Sequence, residues 1–128
     1  MRAAILGAVG VGGALGAMAR YLIAGWVQSP AWTGFPYGIF IVNITGGFIM
    51  GVLTEAMALR FNVSPEVRAF LTTGILGGYT TFSTFSLDSA LLLQRGEYLQ
   101  AAGYIIGSVV LSILALFAGL WVMRLIYA

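Results

Sequence analysis

The chain has 128 residues, 60% of them apolar and only 8% charged, with a net charge of +2 and neither cysteine nor histidine. A water-facing surface takes roughly 25% charged residues, so an integral membrane protein, surrounded by lipid, is the class that remains. Disulfides, thiolate metal sites and histidine-based catalysis are excluded, and so small a positive charge gives nucleic acid no hold; neither an enzyme nor a nucleic-acid partner is expected.

A membrane-crossing helix takes about 20 mostly apolar residues, and four stretches qualify. The first span is expected over residues 3–27, ending before "QSPAWTGFP". Arg2, an apolar run and "AMA" at 17–19 also resemble a signal peptide, but the continuation through residues 20–27 reads as helix. The second span is expected over 37–59, closed by Arg60 and "NVSPE". The third begins at Pro65, a residue suited to the first turn of a helix, and runs to residue 94, before "RGE". The fourth covers 98–123. All connections are short, which predicts a single all-α, four-span membrane domain over 1–128.

Small residues recur four apart, at Gly12 with Gly16, Gly47 with Gly51 and Gly103 with Gly107. Such faces allow close helix packing where lipid supplies no hydrophobic drive. Orientation should follow the arginines. Arg2, Arg60, Arg68 and Arg124 fall on one side, and Arg20 and Arg95 on the other, a weak bias compatible with insertion both ways.

Polar groups inside spans are the functional candidates. The acids stand toward span ends, so no mid-membrane carboxylate offers itself to a proton-coupled exporter. Asn43, early in the second span, either glues helices together or presents its amide to a solute. Tyr104, Ser108 and Ser112 repeat every four residues and make one hydroxyl stripe on the fourth span. A membrane-buried serine often bonds back to its own helix, yet three in line with a tyrosine read as a polar track. In the third span Gly77-Gly78 predicts a helix break near Gly77–Thr80. Broken backbone at membrane depth needs protein or a hydrated cavity to satisfy it, and freed carbonyls are hard oxygen ligands for a small cation. Beyond the glycines, Phe82 and Phe85 share a face amid hydroxyl residues. They read either as core or as rings whose positive edges face a small anion.

The segments "GALGAMARY" at 13–21, "NITGGFIMG" at 43–51 and above all "GILGGYTTFSTFS" at 74–86 resemble the Fluc (CrcB-type) fluoride channels. The resemblance implies antiparallel, dual-topology homodimers in the cell inner membrane, with passive fluoride efflux lowering cytoplasmic fluoride. It implies a fluoride path through Asn43, Phe82, Phe85, Ser83, Ser86, Tyr104, Ser108 and Ser112, with Arg20 in the vestibule. It also implies a structural sodium ion at the dimer centre, held by the carbonyls of Gly77 and Thr80. Ile39, one turn before Asn43, departs from the hydroxyl expected there and touches only the outer end of the track. Two other classes stay open: a small proton- or sodium-coupled exporter of four-span type, and a membrane assembly protein that transports nothing.

Overall fold

Hydrocarbon offers the backbone no partner, so each segment must satisfy its own amides and carbonyls. The computed structural model describes residues 2–28 and 34–127, and these are helical with no strand among them. Part of the connection "QSPAWTGFP", residues 29–33, lies outside the described residues. Among the described residues, three helices are long and apolar enough to cross a membrane: α1 (Ala3–Val27), α2 (Tyr37–Leu59) and, last in order, Tyr98–Tyr127.

The segment between α2 and the last helix is a relay of shorter pieces. Ser64 caps the amide of Val67 at 3.2 Å and Pro65 occupies the first turn of α3 (Pro65–Ala69), the arrangement that best satisfies a helix start. A π-helical stretch follows (Phe70–Leu76), then one turn of α-helix, α4 (Gly77–Tyr79). The chain restarts at α5 (Phe82–Gln94) and continues into α6 (Tyr98–Tyr127).

The break expected near Gly77–Thr80 falls at the far end of that stretch, and the glycine pair itself stays helical. Gly77 is helical, with φ −62° and ψ −37°; Thr80 (φ −83°, ψ 158°) and Thr81 (φ −151°, ψ 124°) carry the extended backbone. The glycine pair serves packing instead. A Cβ on Gly78 would lie 2.5 Å from the carbonyl oxygen of Gly13, and one on Gly16 would overlap the carbonyl oxygen of Ile75. Only hydrogen at these positions lets α1 lie against the π stretch and α4, its main partners.

α2 packs chiefly along α6, where a Cβ on Gly51 would overlap the carbonyl oxygen of Leu116. Gly103, by contrast, meets nothing within 4 Å. The Glu55 carboxylate joins the same two helices at their far ends, taking Arg124 Nε and Nη2 at 3.0 Å each. Two buried clusters result. Val42, Leu76 and Tyr79 fill the space between α1, α2 and α4. Phe85, Leu92, Ala101 and Tyr104 fill that between α5 and α6, with Phe35, Ile39 and Phe40 packed against them.

Candidate functional site

The break at Thr80–Thr81 removes backbone groups from the helical ladder, and each buried one needs a partner. Asn43 on α2 supplies two. Its Oδ1 accepts from the Thr81 amide at 2.9 Å and its Nδ2 donates to the Thr81 carbonyl at 3.1 Å, so one side chain pairs with both polar groups of one residue. Arg20 on α1 donates Nε to the Gly78 carbonyl at 3.1 Å. The Thr80 amide and hydroxyl both turn back to the Leu76 carbonyl, each at 3.0 Å, and Thr81 Oγ1 accepts from the Thr84 amide at 3.2 Å to start α5.

This redistribution takes the usual helical donors away from the oxygens of Gly77 and Thr80. In an unbroken helix the oxygens of Gly77 and Thr80 would accept from the amides of Thr81 and Thr84. Those amides go to Asn43 and to the Thr81 hydroxyl instead. Among the described residues no group of three or more acidic, histidine or cysteine side chains gathers to hold a metal.

Beside the break a groove of about 380 Å³ is lined by Asn43, Thr80, Thr81, Phe82, Phe85, Ser108 and Ser112. Phe82 and Phe85 stand with ring centroids 5.5 Å apart and planes at 45°. Phe82 is 77% exposed and Phe85 only 9%. Facing them from α6 are the hydroxyls of Ser108 and Ser112, which are buried and have no hydrogen-bond partner. Other hydroxyls in the spans do bond back to their own helix. Ser86 donates to the Phe82 carbonyl at 2.9 Å, Ser89 to that of Phe85 at 2.8 Å, and Thr45 to that of Ile41 at 2.8 Å. A donor left unmade away from water costs about 1–3 kcal/mol, so within the single chain these two hydroxyls differ from the back-bonded ones in having a donor still to place.

The remaining candidates spread outward from this groove. Ser83 is exposed near the start of α5, its hydroxyl 3.4 Å from that of Thr81. Tyr104 packs its ring 5.2 Å from Phe85 and donates its hydroxyl to Asp88 Oδ2 at 3.1 Å. Arg20 lines a second cavity of about 860 Å³ with Gln28, Phe35, Asp88 and Arg95. Ile39 lines the same cavity and packs on the aromatic cluster. Sequence reasoning missed Thr81, whose extended backbone and hydroxyl organise the break, and the Asp88–Tyr104 bond. A threonine pair after two glycines was the available signal for the first; nothing local marked the second.

Residues 7–120 match the family described as CrcB-like protein, Camphor Resistance (CrcB). The chain is similar to proteins named Fluoride-specific ion channel FluC. That of Rhizobium meliloti is 52% identical over 116 residues, covering 91% of this chain and 93% of the relative. That of Agrobacterium fabrum is 51% identical over 112 residues (88% and 90%), and that of Caulobacter vibrioides 50% over 121 residues (94% and 95%).

Proposed function

Because the chain belongs to the CrcB-like family, we propose that it is a fluoride-selective ion channel, and that fluoride moves along the groove beside the broken third span. The observation that carries this reading is the pair of buried, unpartnered hydroxyls of Ser108 and Ser112 facing Phe82 and Phe85. A small anion stripped of water needs donors along its path and positive ring edges beside it, each weak enough to release it to the next. Serines four apart on α6 supply successive donors one helical turn apart. Ser83 extends the hydroxyl path, Ser86 and Tyr104 border it with hydroxyls that donate to the Phe82 carbonyl and to Asp88, Asn43 holds the wall at the break, and Arg20 stands in the vestibule.

Conduction is passive. With a negative cell interior it runs outward, relieving fluoride that enters as the neutral acid, and the protein acts in the cell inner membrane. The short pieces from Pro65 to Gln94 make a fourth crossing. Its groove is open on one side and Phe82 is 77% exposed, so a second, antiparallel copy is the natural cover. Two copies would bring two breaks together at the dimer centre. The carbonyls of Gly77 and Thr80 from each would hold a structural sodium ion, since neutral oxygens suit a monovalent ion better than a divalent one. When bound, that ion supplies a fixed positive charge that ties the two breaks together.

Fluoride efflux from proteoliposomes, with chloride efflux as the comparison, tests the reading. Fluoride is expected to leave rapidly and chloride hardly at all, with no dependence on a proton gradient. Prolonged sodium removal should abolish flux without sodium and fluoride moving together. Uphill fluoride movement driven by a proton or sodium gradient would replace the channel with an exporter.

A further inference from the structure

The aromatic residues continue past Phe85. Ring centroids run from Phe82 to Phe85 at 5.5 Å, to Tyr104 at 5.2 Å, and on to Phe35 at 5.6 Å. Phe35 meets Tyr104 at 89° and Phe40 at 81°. This row leads from the groove at the break to the cavity of about 860 Å³, whose wall includes Phe35 itself. In a crossed pair the hydrogen-bearing, positive edge of one ring meets the face of the other, and of this row Phe35 is the ring that also borders the cavity. The Tyr104 hydroxyl is committed to Asp88 at 3.1 Å, so beyond Phe85 the polar stripe on α6 offers no free donor before the cavity.

Phe35 is held from both sides. Gln28, at the end of α1, donates Nε2 to the Phe35 carbonyl at 3.1 Å and accepts the Gly38 amide on Oε1 at 2.9 Å. One glutamine thus brackets the approach to α2. Before Phe35, Gly34 adopts φ +101°, a conformation that glycine tolerates and other residues rarely do, and a Cβ there would sit 3.1 Å from Gln100 Oε1.

We propose that Phe35 is a further aromatic contact on the fluoride route, where the groove gives way to the cavity, and that Gln28 is the positioning residue that holds it there. This rests on the fluoride-channel reading. The anion leaves the edges of Phe82 and Phe85, meets Phe35 at the cavity wall, and rehydrates in the cavity.

The test is fluoride and chloride efflux per folded protein from proteoliposomes carrying the parent, Phe35→Ile, Phe35→Tyr, Gln28→Leu and the double variant. Phe35→Ile should lower fluoride efflux roughly tenfold, the scale of one lost aromatic contact, and reduce the fluoride-to-chloride ratio. Phe35→Tyr, which keeps the ring, should stay within about twofold. Gln28→Leu should reproduce the loss, and the double variant should be no worse than Phe35→Ile alone, because one residue acts through the other. If Phe35→Ile does not assemble, Phe35→Leu takes its place. Parental flux and selectivity in Phe35→Ile or Phe35→Leu overturn the contact, and additive losses in the double variant overturn the role of Gln28. Absence of fluoride efflux from the parent overturns the channel reading, and the contact with it.

Discussion

Phe82 and Phe85 are three residues apart and meet opposite surroundings, which makes them unequal tests of one idea. Phe82 is 77% exposed in the single chain, whereas Phe85 is 9% exposed and packs on Leu92, Ala101 and Tyr104. Isoleucine keeps much of the bulk and removes the ring quadrupole. At Phe82 it should cost the fold little and lower fluoride flux roughly tenfold, as expected for one aromatic contact. At Phe85 the same change also disturbs packing by up to about 1.5 kcal/mol, so stability must be measured beside flux. Near-parental flux in a folded Phe82→Ile channel would reduce that ring to packing. Asn43 calls for stability to be measured beside flux as well. Asn43→Ala removes both bonds to Thr81, leaving buried backbone groups unpaired at about 1–3 kcal/mol. It should therefore melt earlier as well as conduct less. An unchanged melting temperature would mean that the break does not need this staple.

At the scale of elements, the apolar runs were legible because composition and length alone define a helix in lipid. The relay from Pro65 to Gln94 was legible only in part. The sequence marks Gly77-Gly78 as weak helix, but which peptide breaks depends on partners far along the chain. Asn43 lies 38 residues from Thr81 and Arg20 58 residues from Gly78. Threonines at 80 and 81 can cap their own broken backbone, while glycines at 77 and 78 cannot, and the break falls where the caps are. The glycines instead answer to α1, a demand that no local pattern displays. The serine stripe was visible from its spacing, yet only the geometry separates Ser108 and Ser112, with free hydroxyls, from the back-bonded Ser86. Close packing gives the prediction at this level. Gly16→Val drives its side chain into the carbonyl of Ile75 and should destabilise the protein by about 1–3 kcal/mol, as overpacking does. Gly25→Ala, with nothing within 4 Å of its new methyl, should melt within about 0.5 kcal/mol of the parent. Equal melting temperatures for the two would remove α1 from the tight interface.

For the whole molecule, the arginines set how the chain sits in the membrane. Arg20 lies within its helix and bonds the Gly78 carbonyl, so Arg95 is the one arginine left to the connections at that end, where it approaches Glu97 at 3.7 Å. At the opposite end Arg124 is paired with Glu55. If antiparallel pairs carry the activity, adding two or three arginines beside Arg95 should drive the population toward one orientation and lower flux when the chain is expressed alone. Co-expression with an oppositely biased copy should restore it. The absence of native cysteine lets single introduced cysteines report orientation by labelling from either side. Full activity of a chain labelled from one side only would exclude the antiparallel pair.

The π-helical stretch from Phe70 to Leu76 has a consequence for how this span tolerates change. Each of its turns encloses one residue more than an α-turn, so the helix beyond it emerges rotated, like a screw with a stretch of different thread. The angle at which Gly77 and Thr80 present their oxygens is thus stored in a residue count rather than in any one side chain. Substitution along 70–76 leaves that angle alone except at Gly74, where a Cβ would lie 3.0 Å from Gly12 Cα on α1, while loss or gain of a single residue there turns everything downstream as a body, away from Asn43, Arg20 and the groove.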